Sequence, residues 1–218
     1  MPAVLNKTNK KELQTAFQSA YSILNQAVLY VKEEDGGALN NTYVHYDEES
    51  KTFIYQDILQ NKMYSQLKVA GTCKYKNGIK NYNKTSSAYV DWGTTKPDKL
   101  LANGMCFSTK INGGMINLSI DINGTKNPNT LGHDIFYFGI DAKDNLIPRK
   151  MSKLYTDEEL ENIPENPDSS VPDAGKQQSG YPCSVKSKQK GNGLGCAYYA
   201  LINQNPDDSS KTYWDSLP

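Results

Sequence analysis

The chain has 218 residues, 37% of them hydrophobic and 22% charged, enough for one sizeable domain with long loops. Its 24 basic and 24 acidic side chains cancel, so no net positive field draws the whole surface toward nucleic acid or anionic lipid, and nucleic acid is not an expected partner. No run approaches the ~18–20 apolar residues of a membrane span, and no secretory signal peptide is legible. Fifteen Tyr against five Phe point to half-wetted aromatic surfaces, because Tyr can bury its ring and keep its hydroxyl hydrated.

The opening segment places Leu13, Ala16, Phe17, Ala20, Tyr21, Leu24, Ala27, Val28 and Val31 in steps of three and four, one face of an α-helix. Lys10, Glu12, Gln14, Gln18, Ser22, Asn25 and Lys32 fall on the other face. No Pro or Gly interrupts residues 3–35, and Gly36-Gly37 supplies a C-cap. The pattern predicts a helix from about Asn6 to Glu34, ~40 Å long at 1.5 Å per residue. A stripe of that length has to lie along a sheet or along other helices.

The stretch PAVLNKTNKKELQTAFQSAYSILNQAV resembles the junction in type IV pilins and type II secretion pseudopilins, where an apolar membrane half-helix runs into an amphipathic half. Pro2-Ala3-Val4-Leu5 then reads as the end of the apolar half, and Asn6-Lys7-Thr8 as the start of the polar one. The family's cleavage motif and early Glu are not in these residues, so the resemblance implies an apolar anchoring segment ahead of residue 2, with Met1 an added start. It also implies an α+β, pilin-like fold, a long N-terminal helix packed on a small antiparallel sheet with long loops. Residues 1–35 would be the amphipathic half of the spine and 36–218 the head. Leu13, Phe17, Tyr21, Leu24 and Val28 would dock the helix. The implied partners are homologous pilin or pseudopilin subunits in a filament, and the membrane through the missing segment. The implied native location is the bacterial inner membrane and periplasm or an extracellular filament. The alternative is an ordinary amphipathic helix of a cytosolic domain.

Farther along, Ile54, Ile58, Leu59, Met63 and Leu67 are helically spaced and predict a second helix ending near Gly71, followed by a polar loop over 74–97. From residue 98 the period changes to two. Asn103-Gly104 is a hairpin dipeptide, and Asn112-Gly113-Gly114 marks a second reversal. Met105, Phe107 and Thr109 alternate with polar residues, and Ile116, Leu118, Ile120 and Ile122 share one face. HDIFYFGI and NLIPRK flank a turn at 141–145, giving three or four meandering strands over 98–150 whose single apolar face the first helix would cover.

Within DINGTKNPNTLGHDIFYFGID, Asp121, Asn123, Asn129 and Asp134 offer clustered oxygens of the kind that suit Ca²⁺. The resemblance supports this, since calcium sites in this part of the head occur among major pseudopilins. The pattern is not an EF-hand loop, and the alternative is a connection whose Asx side chains bond their own backbone.

In the last third, 151–218, Thr156 and Glu159 form a capping box for a short helix. Pro164, Pro167 and Pro172 then mark a surface loop. CSVKSKQKGNGLGC reads as a closed loop with Lys186, Lys188 and Lys190 at its tip, CAYYALI as a last strand, and Trp214 as packed against the head.

Cys73, Cys106, Cys183 and Cys196 are an even set without a C-x-x-C motif, which fits two disulfides in an oxidising compartment. Pairing is not deducible from sequence; proximity favours Cys73–Cys106 and Cys183–Cys196, loops of a size that contributes roughly 3–4 kcal/mol each. Reduced, buried thiols are the alternative. Nucleotide, hydrolase, metalloprotease and kinase motifs are absent, and His45 and His133 sit in polar settings that read as surface. The expectation is a structural filament subunit and not an enzyme. The second reading is a minor pilin or adhesin-like module that binds a glycan, surface or secreted substrate through 164–196. The third is a small hydrolase using a His beside a Cys or Asp.

Overall fold

The computed structural model describes residues 2–76, 78–84, 96–112, 114–162, 180–189 and 191–218, with side chains from residue 9 onward. The chain is α+β, with an N-terminal helix and antiparallel sheets. The first helix, α1, spans Pro2–Glu34. Its apolar stripe is seated as the spacing requires: Phe17, Ala20, Leu24 and Val31 are fully buried, Val28 nearly so, and Leu13 and Tyr21 are partly buried against the same core. Burial of side chains this size contributes about 1.5–3 kcal/mol each. Phe17 is the pivot. Its ring stands edge-on to Phe136 at 4.5 Å, stacks over Phe138 at 6.2 Å and lies 5.6 Å from Trp214.

Past Gly36-Gly37 come a short helix α2 (Leu39–Tyr43), a two-stranded hairpin of β1 (Tyr46–Asp47) and β2 (Thr52–Phe53), and helix α3 (Gln56–Gln66). The Asp35 carboxylate accepts from the Tyr43 hydroxyl and the Lys62 ammonium, which ties the end of α1 to α2 and α3. The second helix is shorter than its apolar spacing predicts. Leu59, Met63 and Leu67 are buried, whereas Ile54 and Ile58 are about half exposed, at 51% and 49%. Gly71 lies in a strand, because the chain turns at Lys68 in the left-handed region (φ 54°) and enters the sheet at once.

That sheet is a six-stranded antiparallel meander in sequence order: β3 (Val69–Thr72), β4 (Lys99–Leu101), β5 (Cys106–Asn112), β6 (Met115–Asp121), β7 (Ile135–Ile140) and β8 (Leu146–Pro148). The predicted turns close it. Gly104 N–H donates to Leu101 O at 2.9 Å, Asn112 stands opposite Met115, and Ile140 stands opposite Leu146. The sheet has six strands where three or four were expected, five of them within 98–150; β3 lies in the stretch read as the end of a helix, and strands as short as β3, β4 and β8 show no period.

Both faces of the sheet are covered, not one. On the inner face Phe107, Ile111, Ile116, Leu118, Ile120, Phe136 and Phe138 meet α1 and α3. On the outer face Cys106, Ile135 and Tyr137 pack with Cys73, Tyr75, Ile79, Leu131 and Leu194. The outer layer is part polar: Ser108, Asn117, Ser119, Asp121 and Arg149 are buried there, with Arg149 Nη2 donating to Asn117 Oδ1 and its guanidinium 5.1 Å over the Tyr181 ring.

The capping box on α4 (Asp157–Glu161) forms as predicted, with Glu159 N–H donating to Thr156 Oγ1. CAYYALI is a helix, α5 (Cys196–Ile202), rather than a strand. Cys196, Ala197 and Ala200 form its buried side, and the two alanines let it approach the sheet closely, while Leu201 and Ile202 stay exposed. A short apolar run does not by itself distinguish helix from strand. The chain ends in a 3-10 turn (Trp214–Ser216), with Trp214 Nε1 donating to Ala200 O at 3.1 Å. The proline stretch at 164–172 and Lys190 lie outside the described residues.

Phe17→Ala is expected to lower unfolding free energy by about 3–5 kcal/mol, and Leu29→Ala, on the exposed side of the same helix, by less than about 0.5 kcal/mol, in urea or guanidinium titrations. Equal losses would mean that α1 does not dock through this face.

Candidate functional site

The loop from β6 to β7 is held by its own side chains. The Asp134 carboxylate accepts from the backbone N–H groups of Asn129 and Thr130, both at 2.7 Å, and Asp121 Oδ1 accepts from Asn123 N–H at 3.2 Å. The two amides are oriented by their nitrogens: Asn123 Nδ2 donates to Asn127 O at 3.2 Å, and Asn129 Nδ2 donates to Thr125 O at 3.3 Å. An amide whose nitrogen is committed presents its oxygen the other way. Asp121 Oδ2, Asn123 Oδ1 and Asn129 Oδ1 are consequently buried with no hydrogen-bond donor among the described residues. Gly124 (φ +70°) lets the loop approach the β4–β5 turn, where a Cβ would meet Gly104 O at 2.5 Å.

Asp121 and Asp134 are both fully buried. Burial, and then the neighbouring Asp134, push the Asp121 carboxyl well above the usual carboxylate range; burial pushes Asp134 up as well, against the lowering effect of its two backbone donors. Two carboxylates side by side in a dry interior require a shared proton or a cation. The Tyr75 hydroxyl adjoins Asp121 and lowers that carboxyl's pKa against the effect of burial, while its own pKa is raised by burial and by the carboxylate.

The four predicted oxygen donors are thus brought together, and oxygens without donors around two carboxylates fit a hard cation. Among the described residues no group of three or more His, Cys, Asp or Glu is placed to hold a metal ion, so this centre would supply two charges and complete its shell with amide oxygens.

All four cysteines are paired, Cys73 with Cys106 and Cys183 with Cys196. No thiol is left for a Cys–His nucleophile. Cys73–Cys106 fastens the segment before Tyr75 to β5, on the outer face beside this centre. The 183–196 loop is not the projecting tip expected. Ser184, Ser187, Gln189 and Asn192 are buried, and only the lysines Lys186 and Lys188 are exposed among its described positively charged residues. Asn192 Nδ2 donates to the carbonyls of Ser184 (2.7 Å) and Ser187 (3.1 Å), while Asp207 accepts from Ser184 Oγ and Val185 N–H.

His133 also departs from its surface reading. It is 3% exposed, its ring nitrogen lies 2.9 Å from Tyr82 O, and Tyr82 packs edge-on at 5.4 Å. Burial pushes its pKa down to about 3. His45 is exposed, with Nε2 2.6 Å from Asn41 O. Sequence reasoning missed Tyr75, whose only signal was an apolar ring between two lysines.

No family model, curated protein or solved structure matches this chain. The functional reading therefore rests on the geometry.

The buried titrating groups set a pH dependence. The depressed His133 value makes stability rise with pH up to the ordinary imidazole value of about 6.5, because the unfolded chain binds the proton first. The raised carboxyls act oppositely: the folded chain holds protons that the unfolded chain has released, so stability falls with rising pH. Above pH ~6.5 only the carboxylate effect remains. In chelator, the midpoint of thermal unfolding is expected to fall from pH 6.5 upward in the parent chain and to fall less, and over a narrower range, in Asp121→Asn, where Asp134 alone stays raised by burial; a flat parent profile would remove the buried pair from consideration.

Proposed function

We propose that the chain is the head of a filament subunit of the type IV pilin or type II secretion pseudopilin kind, polymerising through its N-terminal helix. One observation carries the reading: a 33-residue helix whose one side is sunk in an antiparallel sheet and whose other side stays open. Leu29 and Tyr30 on that open side are 48% and 58% exposed, near the end of the helix. Apolar side chains left outward along a rod suit helix-to-helix packing with further copies. Two disulfides fit an oxidising compartment outside the cytoplasm. No helix of the described residues is long and apolar enough to cross a membrane.

In this reading the Asp121–Asp134 centre takes Ca²⁺, held by Asp121, Asn123, Asn129 and Asp134. The ion would neutralise the two carboxylates and brace the β6–β7 loop against the β4–β5 turn; it supplies no chemistry. The adhesin-like alternative draws support from half-buried Tyr198 and Tyr199 on α5, with the Lys150 ammonium 4.3 Å over the Tyr198 ring.

Two measurements test the proposal. Calcium is expected to raise the unfolding midpoint of the chelated protein at pH 8 and to leave Asp121→Asn unmoved; no response of the parent chain removes the ion from the reading. In cells carrying the native gene, Leu29→Asp/Tyr30→Asp is expected to abolish sheared surface filaments that label with antibody to this chain, while the isolated protein unfolds as the parent does. Absence of the chain from any filament in the parent strain would overturn the assignment.

A further inference from the structure

Beside the carboxylate centre a cleft of about 470 Å³ opens to solvent, lined by Lys74, Lys76, Thr125, Lys126, Asn127 and Asn129. That volume is within the ~300–1,000 Å³ of small-molecule sites. Among the described residues its lining holds three ammonium groups and no carboxylate, in a chain whose total charge is zero. The local sequence explains the concentration. Burial alternates along residues 73–76: Cys73 and Tyr75 are buried in the outer core, and Lys74 and Lys76 are exposed. The Lys96 ammonium sits 4.8 Å over the Tyr75 ring and adds a fourth positive charge nearby.

Both walls are fixed. Cys73 is tied to Cys106 immediately before Lys74. Lys80 N–H donates to Asn129 O and Leu131 N–H donates to Lys80 O, both at 2.9 Å, which ties Lys80 to the 129–131 stretch. At the floor, Asn129 is 5% exposed and its Oδ1 has no donor among the described residues. A rigid, open, positively charged cleft with hydroxyl and amide groups between the lysines suits a ligand that is anionic and rich in hydroxyls.

We propose that this cleft binds an acidic saccharide, a sugar residue bearing a carboxylate or sulfate, as part of a longer chain. The lysines act as point charges toward the acid groups, and Thr125 and Asn127 take the sugar hydroxyls. Single-stranded nucleic acid is disfavoured, because among the described residues no aromatic ring lines the cleft as a stacking platform. The site is separate from the 183–196 loop, and the inference does not depend on filament assembly or on calcium.

The test titrates the purified chain, in chelator, with fluorescent tetragalacturonate and with a heparin-derived hexasaccharide, at two salt concentrations. Saturable binding is expected to at least one of the two, weakened by salt, about tenfold weaker in Lys74→Gln/Lys126→Gln and unchanged in Lys143→Gln/Lys186→Gln. The two ligands separate carboxylate from sulfate recognition, and either supports the proposal. Four results overturn it: no binding of either ligand, equal loss in both double variants, equal binding of a neutral oligosaccharide of the same length, or tighter binding of a single-stranded oligonucleotide.

Discussion

The fold depends on the seating of Phe17. Its ring meets two side chains of β7 and the C-terminal Trp214, so one residue of α1 joins the helix, the centre of the sheet and the end of the chain. Phe136 is itself 5.9 Å from Trp214, and Tyr213 stands edge-on to Trp214 at 5.2 Å. Aromatic pairs at these separations add to the free energy of area burial, and they fix the rotation of α1 about its own axis. Once that rotation is set, Leu24, Val28 and Val31 must enter the core, and Leu29 and Tyr30 must face away from it.

The outer face of the sheet is organised differently. It is a thin layer in which apolar residues alternate with polar ones, and it is closed by chain segments without regular structure. Such segments cannot contribute a deep apolar core, so covalent links and side-chain-to-backbone bonds take over: Cys73–Cys106 and Cys183–Cys196, the Asn192 and Asp207 bonds, and the Asp134 bonds to Asn129 and Thr130. In the chain-entropy picture the two disulfides contribute about 4 and about 3 kcal/mol. Gly193 (φ +119°) belongs to the same economy of space, since a Cβ there would lie 2.3 Å from Leu131 Cβ.

Charge is distributed along the same division. Asp121 lies at the end of a core strand, with its side chain in the outer layer, and the Lys74–Lys126 cleft opens on the other side of the same loop. The loop thus presents uncompensated oxygens inward and ammonium groups outward. A cation in the buried centre would lower the cost of the two carboxylates and leave the outward charge unchanged.

How much of this was legible in the residues follows from the range of the forces involved. The α1 stripe, the turns at Asn103-Gly104 and 112–114, the alternation within β5 and β6 and the Thr156 capping box are set by neighbours a few positions apart and show in the local pattern, whereas the β6–β7 register pairs residues as distant as Asn117 and Gly139. The oxygen set Asp121, Asn123, Asn129 and Asp134 was visible as composition within one loop; that their amide nitrogens are committed and their oxygens left over depends on the folded loop. What tertiary structure alone decided is long in range. CAYYALI is helical because two alanines fit beneath it, and His133 is buried because the 78–84 segment crosses over it. The outer face is covered because residues far apart in sequence, 73–79 and 194, fold back onto it. None of these is encoded in a local period, since each rests on a surface that exists only after the sheet has formed.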